Sequence, residues 1–464
     1  MALLAALLML LSVACAEITL FDSLPDTWQE DTSPLQMNVT VEAKAMSEFD
    51  EPRLALLNDL LKHLSFEIRH QRLITENQSH VTVLAEGQLV TALGLQQSDG
   101  SDAMMQLSAL PHVTYSGADP VTSLLGESED AFFGLDETSS SWLEDGYQLL
   151  MVLEETLGEY CQSKEVNTTI EDMGRARRME DYTVSKEDAP SLAEKLSAVC
   201  PEGPLGELLG RLVFSGKQTL RVYRTEAGVP LRVEYNGACG TDEEHLRTVH
   251  ILWRLRRDDT SWRDELTLTS PAQKGSDRDT LNYSQLITPK NKQRTMKGDF
   301  SYASSREGVV STWEGEWQLK TAPAKDETKL SGEFFIRYQP EKDGDWQKTT
   351  CTPDFTLYHT EGVPTLSGTL NMKTHQDNVL KEEYLLTADI FRTGYTSWSM
   401  REETVYLDTL SADELADASQ SITEAVSGEF LLNIIRFVPQ EDLMFLFADL
   451  PEETVNAIMD AAKE

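Results

Sequence analysis

The sequence predicts an α+β protein that is mostly antiparallel β: a curved meander sheet with an N-terminal α+β module before it and C-terminal helices after it. Three observations lead there. From Gln218 onward the helical spacing of apolar residues is absent for about 190 residues. Over that span apolar and polar residues alternate in runs divided by short turns, such as Glu341-Lys342-Asp343-Gly344. Within it one phrase (apolar, any, Gly, polar, apolar, any, apolar) recurs around Gly298, Gly315, Gly332 and Gly368, the first three 17 residues apart and the fourth 36 further on.

In a strand, residues two apart share a face. Each phrase therefore puts its glycine on the apolar face between large neighbours. A glycine there weakens the strand and marks a bend, a bulge or a close approach. Four in one stretch predict a strongly curved sheet bent at one level.

Taken in order, residues 1–16 read as a signal peptide: Ala2–Leu11 is apolar, and Ala14 and Ala16 fit cleavage before Glu17. A lipoprotein signal with Cys15 lipidated is the alternative. Residues 17–34 form a polar linker, residues 35–215 the α+β module, 216–409 the meander and 410–464 a helical cap. In the module, Leu35–Ala43 alternates as a strand, and Leu54, Leu57 and Leu61 share a helical face within Glu51–His63. Strands follow at Leu64–Arg69 and His80–Ala85, the latter paired with Gln88–Leu95 across Glu86-Gly87. His112–Tyr115 reads as a strand and Pro120–Leu125 as a short helix. Helices are expected over Ser139–Tyr160 and from the capping box Ser185–Asp188 to Val199, with strands at Lys164–Asp172 and Arg178–Val184 between them. After the meander, Ser411 caps a helix over Ala412–Val426. The apolar runs Leu431–Phe437 and Asp442–Phe447 and a last helix from Pro451 complete the cap.

The formal net charge of −38 argues against a surface built for nucleic acid or anionic membrane. Between Arg211 and Phe300, however, 16 Lys and Arg face 12 Asp and Glu. Such a segment meets either an acidic partner or the chain's own acidic half. Export agrees with the even set Cys161, Cys200, Cys239 and Cys351, which allows three disulfide pairings. Pairing of sequence neighbours would give Cys161–Cys200 and Cys239–Cys351.

No nucleophile elbow, zinc-protease helix, phosphate loop or dinucleotide fingerprint is present, so neither catalytic residues, metal ligands nor cofactors are expected. His245 and His250, five apart, cannot share a strand face. Asp343-Gly344-Asp345 lacks the further carboxylates calcium needs and reads as a turn. Glu314 and Glu316 lie on the polar face of a strand, where solvation rather than an acid–base role is expected. The candidate ligand residues are Trp313, Trp317, Phe334, Ile336 and Leu370 on the apolar face. The candidate partner residues are Arg254, Arg256 and Arg257. Asn38, Asn77, Asn167 and Asn282 head glycosylation triplets, which matter only in a glycosylating host.

The strand, the Glu51–His63 helix and the strand-rich stretch ending in the hairpin Thr225–Arg232 resemble exported half-barrel proteins of the lipoprotein-carrier kind, over residues 35–235. That resemblance implies a curved antiparallel sheet with helices on its concave side and, for several such proteins, a bound lipid. The chain also resembles exported proteins of Gram-positive gut bacteria, a likeness that implies no activity. The expected function is non-enzymatic binding in the cell envelope, with an apolar or lipid-like ligand in the concave sheet. The alternative is an interaction or adhesion module that recognises a polymer or protein through its sheet surface.

Overall fold

The computed structural model describes residues 34–434 and Phe437, apart from short internal stretches of which the longest are 126–149 and 200–211. The expected signal peptide, linker and final helix, and most of the helix expected over Ser139–Tyr160, lie outside the described residues. Twenty strands carry the fold. β1 (Leu35–Met46) is followed by a helix, Glu51–His63, then β2 (Leu64–Arg72), β3 (Glu76–Ala85), β4 (Gln88–Ser98), β5 (Ala103–Leu107) and β6 (Val113–Gly117). Next come β7 (Cys161–Ile170), β8 (Gly174–Val184), β9 (Val213–Arg224), β10 (Pro230–Gly240), β11 (Arg247–Asp258) and β12 (Ser261–Pro271). The meander continues through β13 (Arg278–Lys290), β14 (Gln293–Arg306), β15 (Val309–Pro323), β16 (Glu327–Gln339), β17 (Gln347–Tyr358), β18 (Thr365–Gln376) and β19 (Val379–Arg392). A short β20 (Glu403–Tyr406) precedes the helix Ala412–Ile434.

All twenty strands belong to one sheet, antiparallel except where β20 joins β6. From β7 to β19 each strand pairs with the next in sequence. β19 then pairs with β1, which pairs with β2, and the order runs on through β3, β4, β5 and β6 to β20. No ladder among the described residues joins β7 to β20, so the sheet is open. β1 lies between β2 and β19, so the strands of the expected N-terminal α+β module continue the sheet of the meander.

Local signals explain the elements that frame this sheet. Asp50 caps the first helix by accepting from the Arg53 N–H at 3.0 Å, and Pro52 sits in its first turn. Asn58 of that helix exchanges two hydrogen bonds with the Ala43 backbone, at 2.8 and 2.7 Å. Pairing of β1 with β2 stops at Val39, so this side chain satisfies backbone groups that β2 leaves open. The β3–β4 hairpin turns through Glu86 and Gly87, both at positive φ. Ser185 and Asp188 bond as expected, but a 3-10 turn over Ala189–Ser191 intervenes and the α-helix is only Leu192–Val199, as Pro190 delays its first regular turn. The Ser411–Glu414 capping box opens the last helix. That helix runs to Ile434, well past the expected end at Val426. Gly428 does not stop it, because Phe430 and Ile434 pack into the core.

The apolar face is covered in three places. The Glu51–His63 helix and the end of the Ala412–Ile434 helix cover β1–β3 and β17–β19, around Val39, Phe66, Leu370 and Leu386. Leu192 and Leu196, with Leu150 and Leu157, cover β8–β10 around Val222 and Val233. The body of the Ala412–Ile434 helix covers β5 and β6 around Met105 and Tyr115. Burial at roughly 25 cal/mol per Å2 makes these clusters the main source of stability.

Ion pairs tie the basic segment to the chain's own acids. Arg224 is bonded to Glu180 at 2.8 Å and to Glu154, and Arg221 reaches Asp181. At one end of the sheet Asp279 binds Arg247 at 2.5 Å, Arg306 at 2.8 Å and the Tyr302 hydroxyl at 3.3 Å, which links β11, β13 and β14. Burial opposes the Asp279 charge, but hydrogen bonds from Arg306 and Ser304 and the field of Arg247 outweigh it and hold the carboxyl below the usual aspartate range.

The disulfide Cys239–Cys351 does not form: both are free thiols, on β10 and β17, seven strands apart in the sheet. Cys161 is also free, and Cys200 lies outside the described residues. Burial pushes the Cys351 thiol up to about 12. Alkylation under denaturing, non-reducing conditions followed by mass spectrometry is expected to find label on both Cys239 and Cys351; a Cys239–Cys351 cross-link would refute this register. A depressed folded-state pKa stabilises the fold above the unfolded value and is lost as pH falls through the folded one. Stability should therefore decline below about pH 4. Asp279→Asn should cost about 1–2 kcal/mol at neutral pH, between the exposed and buried limits for ion pairs, and should flatten that decline in urea titrations.

Candidate functional site: the bent stretch β12–β16

Register explains the four glycines. Gly298 lies directly opposite Trp317, Gly315 opposite Phe300, Gly332 opposite Leu319 and Gly368 opposite Phe355. In each case the large side chain lies over the glycine. A Cβ on Gly298 would stand 2.2 Å from the Trp317 ring, and one on Gly315 2.2 Å from the Phe300 ring. The phrase thus encodes reciprocal pairs in which a ring on one strand covers the gap on its neighbour. Gly332 alone of the four has a positive φ, 155°. Its stretch of β16 faces Pro353 of β17, which has no N–H to give, and the ladder lapses between Ser331 and Phe334.

The expectation of a bend at one level is corrected by the same register. Gly315 sits two residues along from the Gly298 row, and Gly332 four residues from the Gly315 row in the other direction. The glycines follow large partners, not a common height.

On the apolar face of β11–β16, Leu255 is buried but most of the other large apolar side chains among the described residues are only half-covered. Trp313 stacks on Tyr338 at 4.0 Å, and Trp317 lies 5.8 Å from Tyr283. Phe334 packs against the first core cluster, Ile336 is half-buried, and Leu370 is fully buried within that cluster. The five candidate ligand residues therefore do not line one cavity: Leu370 is core, and the two tryptophans are engaged with neighbouring rings. The same face carries polar side chains that alternation did not single out. Asp264 and the directly opposite Gln285 are buried, and Gln285 accepts from the Tyr283 hydroxyl at 3.1 Å. Burial, then the Asp264 charge, pushes the Tyr283 phenol up.

The polar face of the same strands holds a cleft of about 900 Å3. It is lined by runs from four neighbouring strands, among them Ser284 and Leu286 of β13, Lys297 and Asp299 of β14, Glu314, Glu316 and Gln318 of β15, and Glu333 and Phe335 of β16, with Arg263 at one side. Cross-strand rows organise it: Lys297, Gln318 and Glu333 form one, and Asp299, Glu316 and Phe335 the next. Directly opposite side chains stand about 4.5–5.5 Å apart at Cβ. Asp299 accepts from Ser284 Oγ at 2.5 Å, and Glu314 pairs with Arg337 at 3.6 Å. The Phe335 ring carries the Lys348 ammonium at 3.7 Å. Lys297, Glu316, Gln318 and Glu333 are exposed and make no side-chain hydrogen bond or ion pair among the described residues. No motif marks this cleft in the sequence, because its residues are ordinary polar-face positions and only the bend of the sheet brings them around one hollow.

The candidate partner arginines are spent largely inside the molecule. Arg254 is bonded to Glu265. Arg256 donates to the Asp172 carbonyl at 3.4 Å, and Arg263 bridges Asp172 at 2.9 Å and Glu265 at 3.0 Å. The backbone of Arg257 lies in β11, and its side chain is outside the described residues.

No family model matches the chain, and no curated protein matches it. Among solved structures, OpdQ of Pseudomonas aeruginosa matches with 6% identity and a TM-score of 0.30, over 79% of this chain and 97% of that one. An anion-selective porin from Comamonas acidovorans matches with 6% identity and a TM-score of 0.28, over 78% and 99%. A loop-deletion mutant of OmpT, an outer membrane protein of Vibrio cholerae, matches with 6% identity and a TM-score of 0.27, over 77% and 97%. Similarity this low does not establish a common fold. A membrane-spanning barrel carries an apolar band on its outward face. Here the polar face bears Lys297, Asp299, Glu314, Glu316 and Glu333, and much of the apolar face is covered by helices. Among the described residues no helix is long and apolar enough to cross a membrane.

Proposed function

We propose that this chain is an exported, non-enzymatic binding protein of the cell envelope that seats a partner in the polar-face cleft of β12–β16. The observation that supports this reading most is the 900 Å3 hollow whose rim keeps Lys297, Glu316, Gln318 and Glu333 unengaged within the described protein. Its volume falls at the upper end of the roughly 300–1,000 Å3 typical of ligand sites. The cationic cluster at Arg254 and Arg256 supports a partner surface less well, since Glu265 and Asp172 already engage it. The charge reversals Glu316→Arg and Glu333→Arg touch exposed side chains and should change stability by no more than about 0.5 kcal/mol. They should nevertheless release the protein from sedimented envelopes of the producing cells; equal co-sedimentation of wild type and variant would remove the cleft from consideration.

A second reading, an apolar or lipid-like ligand on the other face, is favoured by the half-covered side chains Phe300, Trp313, Trp317 and Ile336, which fall in three neighbouring cross-strand rows. It predicts a lipid mass excess in native mass spectrometry of protein purified from its host, diminished by Trp313→Ala. Protein that carries no extractable lipid would refute it.

A further inference from the structure

The chemistry left over in the cleft singles out a class of partner. We infer that it takes a neutral, hydroxyl-rich polymer, a polysaccharide chain; this rests on the cleft being the binding surface. A polyanion is opposed by the net charge of −38, which repels it at long range. A polycation would find carboxylates, but three of the six charged lining groups are already engaged within the protein: Asp299 by Ser284, Glu314 by Arg337, and Arg263 by Asp172 and Glu265. The unengaged set is Glu316, Glu333, Lys297 and Gln318, which offers acceptors and donors together.

The arrangement matters as much as the inventory. Lys297, Gln318 and Glu333 stand side by side in one cross-strand row, so a donor-only, a mixed and an acceptor-only group follow one another at steps of about 5 Å. A hydroxyl both donates and accepts, so a chain of hydroxyls can satisfy all three, whereas an ammonium chain would be repelled at Lys297. Leu286, 37% exposed, lies opposite Lys297 and gives an apolar footing for the C–H faces of a sugar ring beside this polar row. The cleft is open to solvent, so the ends of a long chain can pass beyond it.

Gel retardation of the full chain against a panel of soluble polymers tests this: neutral β-glucan, mannan and galactan, anionic polygalacturonate and cationic poly-lysine. At least one neutral polysaccharide is expected to retard the protein, with little change between about 0.05 and 0.5 M salt, because no net charge is being paired. Lys297→Ala with Glu333→Ala should weaken that retardation at least tenfold while circular dichroism stays unchanged. Retardation by poly-lysine alone, abolished in Glu316→Arg and Glu333→Arg, would overturn the saccharide class and leave the cleft as the binding surface. A neutral polymer held equally by wild type and the alanine variant would overturn the cleft itself. Failure of the wild type to bind any neutral polymer in the panel would also overturn the saccharide class.

Discussion

One sheet with one apolar face has to hide that face without a second sheet to do it. The rest of the molecule follows from this requirement. Helices hide the face toward one end of the strand order through the cluster on Val222 and Val233, and from β17 onward through those on Val39 and Leu386 and on Met105 and Tyr115. Between them, from β12 to β16, the face partly hides itself: Trp317 lies over Gly298 and Phe300 over Gly315, so large rings close onto bare backbone across the strands. The cost is a locally weaker strand at each glycine, and the gain is ring burial at positions no described helix covers.

The bent region also concentrates polar groups in unusual places. Asp264 and Gln285 are buried on the nominally apolar face, while exposed Leu286 stands on the polar one. Strict alternation breaks here although the β12–β13 and β13–β14 ladders run without a register shift. Departures from local rules commonly gather at working surfaces, and both proposed binding readings fall on this stretch.

Much of the fold was legible in residue spacing. Alternation located the meander, and the spacing of Leu54, Leu57 and Leu61 located the Glu51–His63 helix. The glycine phrase pointed to a distortion, but its partner residues were hidden, since Trp317 opposite Gly298 is a fact of register that one strand's sequence does not contain. For the same reason Cys239 and Cys351 looked like neighbours in sequence and stand seven strands apart. The cleft was illegible because Glu316 and Glu333 look like any solvated strand residues until curvature sets them around a hollow. The charge balance of Arg211–Phe300 fits either an acidic partner or the chain's own acids. The Arg224–Glu180, Arg221–Asp181 and Arg263–Asp172 pairs show the segment engaged with acids of the chain itself.

The place of β1 in the sheet has a consequence for how the protein reaches its folded state. Its first residue, Leu35, pairs with Arg392 on one side and His70 on the other. A chain emerging N-terminus first therefore presents β1 and β2 early, while the β19 edge that completes their pairing arrives only after some three hundred further residues. Until then the β1 edge is a free template for any strand that meets it. Contacts this distant in sequence also make closure slow. The Asn58 side chain occupies the Ala43 backbone on the opposite edge, beyond the end of β2, so the early segment closes that side by itself and leaves the β19 side to wait.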